Sequence, residues 1–431
     1  MLRPTDIRRT IPLTTMRRLD RHLGAPLCAI VSLLRPLLDL AARGRHGAQP
    51  RRILFIELSE MGSTVLADPA IRLAQARHDA EAWFVIFAGN AASLDLTGTI
   101  PPERVFAIRT GNLVELAHDT LRFLVWARRN SIDTVIDLEF FSRFTALLTG
   151  LSGARHRVGF HRFTGEGLYR GNFLTHRVAY NPHLHVAKSF VALVDALSRP
   201  AGEQPMTKRM IADGEVRLVP RAEDPAAMAT LRTHIDGLLP ASLSAGAPLL
   251  LINPHASDLL PQRRWPLDHF DRLIRQVLEL RPELAVLITG AATDAAIAGR
   301  LCRMIEDPRV IDLSGRVEIT GLPTLYRLAC AMVTNDSGPA HFAAVAGLPT
   351  VVLYGPETPV LYAPLGPSIS LTAGLACSPC VSAANHRNTP CADPVCMREI
   401  APARVLKALI PLLDGAGPRR TSHHPGREVE A

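Results

Sequence analysis

Asn335-Asp336-Ser337-Gly338-Pro339-Ala340-His341 stands where an apolar run, Met332–Thr334, gives way to helical periodicity over Gly338–Ala346. A helix start offers free backbone N–H groups and a positive dipole end; Gly338 lets a ligand come close, and His341 lies in the first turn. Those features suit an anion, while simple capping by Asp336 or Ser337 is the plainer alternative. Earlier in the chain, Asn253-Pro254-His255-Ala256-Ser257 follows a buried run, and Arg263-Arg264-Trp265-Pro266 precedes an amphipathic helix with Asp268 in its first turn. Two guanidiniums beside a loop match the oxygens of a diphosphate, because Arg presents forked donors. Alone they could be incidental surface arginines; beside the Asp336 segment they favour an anion site.

A second turn, Leu58-Ser59-Glu60-Met61-Gly62-Ser63-Thr64, falls where another strand ends and a helix begins. Ligands meet open α/β sheets at such strand ends, so Glu60 is a candidate general base, with a solvated loop acid as the alternative. The turn contains no GxGxxG, so the dinucleotide fingerprint is absent. Near the C-terminus Cys377, Cys380, Cys391 and Cys396 follow a C-x2-C-x10-C-x4-C spacing that could hold one tetrahedral structural zinc, with reduced thiols or a disulfide as alternatives. Four thiolates leave no open position for catalysis.

The elements that must position these groups alternate. Ile53–Leu58, Trp83–Ala88, Val105–Ile108 and Thr134–Leu138 read as strands, with helices over Val65–Ala76, Leu113–Arg128, Arg143–Leu151 and Leu184–Leu197. After Leu249 the pattern repeats, with strands at Leu249–Asn253, Leu284–Thr289, Val310–Leu313, Met332–Thr334 and Val351–Tyr354. Continuous apolar strands between helices predict parallel sheets covered on both faces. The expected organisation is a basic arm over 1–51, a Rossmann-like domain over 52–200, a proline-rich linker region over 201–247 and a second Rossmann-like domain over 248–414. A disordered tail over 415–431 completes it.

Charge separates the arm from the body. Of the formal net charge of +8, residues 1–52 account for all of it, with 11 Arg, no Lys and 3 Asp. The balanced remainder, with no zinc-finger or RNP-type motif, argues against a nucleic-acid partner. Within Leu23–Ala42, Ser32, Arg35, Asp39 and Arg43 form one narrow polar stripe on an otherwise apolar helix. A spanning helix needs about 20 nearly uncharged residues. The stretch therefore predicts a helix, kinked at Pro36, that lies on an anionic membrane surface. An ordinary helix packed on the body and a signal-like segment are the alternatives, and no small-residue cleavage site follows the run.

In their order along the chain, Ser59-x-x-Gly62, Pro254-His255-Ala256-Ser257, Arg263-Arg264-Trp265-Pro266, Asn335-Asp336-Ser337-Gly338-Pro339-x-His341, Tyr354-Gly355-Pro356, Cys377-Ser378-Pro379-Cys380 and Cys396-Met397 resemble glycosyltransferase family 9. These are the heptosyltransferases of lipopolysaccharide core assembly. The resemblance covers about residues 52–412, more strongly in the second half. It implies a GT-B fold, an α/β architecture of two Rossmann-like domains whose parallel sheets face across a cleft. It further implies a nucleotide-sugar donor such as ADP-heptose on the C-terminal domain, a glycolipid acceptor on the N-terminal domain, and inversion without a metal cofactor. By motif, Ser257, Arg263, Asp336, Ser337, Gly338 and His341, with Arg264 alongside, would surround the donor. Such an enzyme would sit at the cytoplasmic face of the inner membrane, held there peripherally by the arm.

One position departs from the family. Its first turn usually ends Gly-Asp, that Asp being the proposed base; here Ser63 follows Gly62. A hydroxyl is too weak a base at neutral pH, whereas Glu60 lies on the same turn. The expectation is that Glu60 is the base. The competing ones are a non-catalytic sugar-nucleotide-binding relative marked by Ser63, and a GT-B nucleotide-sugar isomerase.

Overall fold

The computed structural model describes residues 11–43, 49–163, 167–200, 207–243, 245–385 and 387–415. Within the 201–247 region, 201–206 and 244 lie outside the described residues, as does the tail from 416 onward. The chain divides into two units, Met1–Val216 and Arg217–Ala431.

In the first unit Ile53, Leu54, Phe55 and Ile56 are all buried, as befits a strand covered on both faces. They form β1 (Arg52–Ile56), followed by β2 (Glu81–Phe87), β3 (Val105–Ile108), β4 (Thr134–Asp137), β5 (His156–Phe160) and β6 (His176–Val178). All pair in parallel in the order β3-β2-β1-β4-β5-β6. The second unit repeats the plan with β7 (Leu249–Asn253), β8 (Ala285–Ile288), β9 (Val310–Asp312), β10 (Ala331–Asn335), β11 (Thr350–Tyr354) and β12 (Ser368–Thr372), ordered β12-β11-β10-β7-β8-β9. Each sheet reverses direction once, between β1 and β4 and between β7 and β10. At these switch points the loops leaving adjacent strands diverge to opposite faces and open a crevice. Register brings Ile56 beside Asp137 and Asn253 beside Thr334, so each pair of loops starts at the same height.

The reading of the sequence contained no counterpart to β5, β6, β12 or the helix Pro402–Leu413. β5 hides a charge: Arg157 is 1% exposed, its Nε donating to the Phe173 carbonyl (2.8 Å), its Nη1 to that of Ala154 (2.7 Å), and its Nη2 to Asp39. A fully partnered arginine can lie inside a sheet, which hydropathy alone does not foresee.

β6 holds a titratable group in a comparable position. His176 is buried, with Nε2 3.2 Å from the Arg199 carbonyl and Nδ1 2.9 Å from the Thr175 hydroxyl. Nε2 must therefore carry the proton and Nδ1 accept one. Burial pushes the imidazole down from 6.5 to about 4. The folded state takes up this proton less readily than the unfolded state. Its contribution to stability is therefore complete well above pH 6.5 and is lost as the pH falls toward 4, to the extent of about 3 kcal/mol. Thermal unfolding followed across that window should show the loss, and His176→Gln should flatten it.

The arm is helical but broken. Leu13–Leu19, a π-turn over Asp20–Gly24, Ala25–Leu33 and Arg35–Arg43 follow one another, and the axis bends by 61° between Thr14–Leu33 and Arg35–Ala42. The break falls at Leu34 rather than at Pro36. Pro36 is the second residue of the next helix, where its missing N–H has no intrahelical partner to lose. Among the described residues no single helix is long and apolar enough to cross a membrane.

Candidate functional site

In the first unit the loops after β1 and β4 carry carboxylates. Glu60 is the N-cap residue of the helix Met61–His78, and Ser63, in that helix's first turn, donates from Oγ to Glu60 Oε2 (3.2 Å). The structure thus joins the family's altered position to the expected base. Ser63 orients one carboxylate oxygen of Glu60.

Glu139, which the sequence reading did not single out, lies two residues past the end of β4. It accepts from the Leu58 N–H (3.2 Å) and the Ser59 hydroxyl (2.8 Å) through Oε1. Burial raises its carboxyl above the usual range against the pull of Ser59, and the neighbouring Glu60 adds to the rise. The signal that could have found it is its place, directly after a buried strand ending in Asp137, as Glu60 follows β1. Arg170 holds this loop from beneath. It pairs with buried Asp137 and donates through Nη1 to the carbonyls of Glu139 (3.0 Å) and Phe140 (3.1 Å) and through Nε to that of Ser142 (2.8 Å).

In the second unit Asn335, fully buried at the end of β10, ties three loops together. Its Nδ2 donates to the Pro254 carbonyl (2.9 Å), and its Oδ1 accepts from the Trp265 N–H (3.0 Å). This fixes the loop after β7 and the arginine loop against the Asp336 turn. Arg263 donates through Nη1 to the Asp336 carbonyl (3.4 Å), and its Nε lies 3.6 Å from Asp336 Oδ2. That Nε is buried and makes no hydrogen bond, and both ring nitrogens of His255 and Oδ1 of Asn253 share that condition. Arg263 Nε is thus a buried donor left over beside the Asp336 turn, one that a ligand could take up, whereas Asn253 and His255 turn toward the loop after β8, Asn253 Nδ2 donating to the Thr289 carbonyl (3.1 Å) and His255 Nδ1 lying 3.7 Å from Asp294. Burial holds His255 below the usual imidazole range, against the pull of Asp294.

The helix Gly338–Ala346 begins at Ser337 with no side-chain cap; the Ser337 hydroxyl instead donates to the Asn335 carbonyl (3.2 Å). Ser337 therefore does not cap this helix, and Asp336 and His341 are both buried beside its start. The two arginines separate. Arg264 donates to the Ala256 carbonyl (Nε 3.1 Å, Nη2 2.9 Å) and to Asp258, so it braces its own loop. Ser257 is exposed on that loop, its Oγ accepting from the Leu259 N–H (3.2 Å).

A further acid was missed. Glu357 is buried after Tyr354-Gly355-Pro356, with Arg387 Nε 3.1 Å and Arg263 Nη2 3.9 Å from its Oε1. Arg387 also stands over the Tyr362 ring at 4.5 Å.

Arg387 belongs to the Cys-rich loop, which clasps the site loops through hydrogen bonds. Gln262 Nε2 donates to the Cys391 carbonyl (2.9 Å), and the Cys380 N–H to that of Pro356 (2.9 Å). Cys377, Cys380 and Cys391 lie near enough to influence the Cys396 thiol. Among the described residues, however, no group of three or more His, Cys, Asp or Glu side chains is placed to hold a metal ion. Cys380 Sγ contacts Thr389 Oγ1 (3.3 Å), Cys396 is buried in the core, and Cys377 is exposed.

Residues 123–389 match the model of glycosyltransferase family 9 (heptosyltransferase). Lipopolysaccharide heptosyltransferase 2 of Salmonella typhimurium is 32% identical over 127 residues, 29% of this chain and 36% of that protein. Lipopolysaccharide heptosyltransferase 1 of Pseudomonas aeruginosa is 30% identical over 142 residues, 33% and 38% respectively. The chain thus spans little more than a third of the length of these curated relatives. The structure of E. coli ADP-heptose lps heptosyltransferase II matches with a TM-score of 0.64 at 21% identity, covering 85% of this chain and 99% of that one. An E. coli heptosyltransferase solved with ADP matches with a TM-score of 0.56 at 18% identity, covering 84% and 99%. The fold is therefore GT-B, and with the family's match running through more than half of its length, the chain belongs to glycosyltransferase family 9.

Proposed function

We propose that the protein is an inverting glycosyltransferase that moves heptose from ADP-heptose to a lipopolysaccharide-core or related glycolipid acceptor, at the cytoplasmic face of the inner membrane. The observation that carries the reading is the second unit's switch point. There the buried Arg263 Nε, without a hydrogen bond, lies 3.6 Å from Asp336, just before a helix start that Ser337 does not cap, inside the matched family segment. The names of the curated relatives support heptose, and ADP-heptose is accordingly the donor to test first.

The chemistry follows from where charge develops. The acceptor hydroxyl oxygen bonds to the anomeric carbon and gives its proton to Glu60. The bond from that carbon to the diphosphate oxygen breaks, and its electron pair leaves on ADP. Arg263 and the N–H groups at the start of Gly338–Ala346 offset the growing negative charge, so the chain's own donors supply the stabilisation. Ser63, where the family usually has Asp, is the observation favouring a second reading, a sugar-nucleotide-binding relative without turnover.

Incubation with ADP-heptose and a core glycolipid lacking that heptose separates the readings. Heptosylated glycolipid with matching ADP release is expected. Isomerised donor, or bound donor left unchanged, would overturn the assignment.

A further inference from the structure

Three residues of the arm's polar stripe bond to the body rather than standing free in water. Ser32 Oγ accepts from the Asn172 N–H (2.7 Å), Arg35 Nη1 donates to the Asn172 carbonyl (3.0 Å), and Asp39 pairs with buried Arg157. Asp20 accepts from the N–H groups of Arg143 (2.8 Å) and Phe144 (2.9 Å), the first residues of the helix Arg143–Leu151. Cys28 and Val31 pack on Ala146 and Phe173, and Gly24 lies so close to Arg143 that an added Cβ would meet its Cβ at 2.7 Å. The polar side chains thus latch the arm to the body.

What remains outward is apolar. Leu27, Ile30, Leu33, Leu34, Leu37 and Leu40 are 44–82% exposed, Pro26, Ala29, Pro36 and Ala41 are exposed among them, and the two charged side chains from Leu23 to Ala42, Arg35 and Asp39, are half-buried and paired. Arg18 and Arg21 are exposed just before this strip.

We infer that this strip docks on an anionic lipid bilayer, the aliphatic side chains entering the acyl boundary while the arginines meet phosphate headgroups. Two features select this occupant. Arg18 and Arg21 stand exposed at one end of the strip, so a second copy would bring like charge to the same face, whereas anionic lipid brings the opposite sign. The hydrogen bonds along the arm's inner face would have to break for it to span, so the arm lies in the plane of the interface. The docking is independent of the proposed reaction, and it orients the first unit by fixed contacts rather than by a tether.

The test is flotation of the full chain with vesicles of phosphatidylethanolamine and phosphatidylglycerol, free of any glycosyl acceptor, against phosphatidylcholine vesicles. Preferential flotation with the anionic vesicles is expected. A Leu33→Gln, Leu37→Gln, Leu40→Gln variant should lower it by about 100-fold with the melting temperature unchanged, since all three side chains are exposed. Arg18→Ser with Arg21→Ser should weaken binding to the anionic vesicles alone. Absence of vesicle binding, equal binding to both vesicle types, or concentration-dependent dimers abolished by the leucine changes without vesicle binding would each overturn the inference.

Discussion

Glu60→Gln should lower the rate of transfer by about 1,000-fold, the usual worth of a positioned general base, while the dissociation constant for ADP-heptose stays unchanged. The amide keeps the shape of the side chain and its contact with Ser63, and removes only the capacity to accept a proton. Because the proposed donor residues belong to the second unit and Glu60 to the first, binding and turnover should separate cleanly. Glu139→Gln is the matching control. Glu139 is already engaged by the Leu58 N–H and the Ser59 hydroxyl, so its loss should cost about tenfold or less, through slackening of the loop that carries Glu60. If Glu139→Gln abolished transfer and Glu60→Gln did not, the base would be Glu139. Full activity in Glu60→Gln would remove Glu60 from the chemistry.

Arg263→Gln should weaken binding of ADP-heptose and of ADP by about 10- to 100-fold, the worth of a charge-assisted hydrogen bond. It should lower kcat/KM for transfer by about 100- to 1,000-fold, because the guanidinium also meets charge that appears only as the diphosphate departs. The reason lies in its incomplete satisfaction. Asp336 and Glu357 hold the side chain at 3.6 and 3.9 Å, near enough to aim it and too far to saturate it. Adenosine, which lacks the diphosphate, should bind the variant and the wild type alike. Calorimetry with the three ligands reads this directly, and an equal loss for adenosine would show that Arg263 shapes the pocket rather than contacting phosphate.

Much of the fold was legible because the central strands are nearly pure apolar runs. β1, β7 and β11 announce themselves in that way. β5 and β6 did not, because burying Arg157 and His176 depends on partners that arrive from elsewhere in the fold, Asp39 and the Arg199 carbonyl among them. The site divides along the same line. Asp336, Ser337, Gly338, His341 and Arg263 stand in contiguous motifs, and the structure brings them to one switch point. Arg264 looked equivalent to Arg263 in the sequence, and only the folded loop shows that it braces Ala256 and Asp258.

Glu139 and Glu357 lie one strand over from the motif that each supports. A linear reading has no measure of that adjacency, although both directly follow strand ends of the kind that drew attention to Glu60. The arm is the sharpest case. The spacing of Ser32, Arg35 and Asp39 correctly describes one stripe, yet helical periodicity cannot tell which face meets water. The buried Arg157 and the backbone of Asn172 decide it.

The central claim, direct displacement at the anomeric carbon with Glu60 taking the proton, is tested most directly by the configuration of the product. Nuclear magnetic resonance of the glycolipid formed from ADP-heptose by the wild-type protein should show one new glycosidic linkage whose anomeric configuration is inverted relative to the donor. A product of retained configuration would contradict the account.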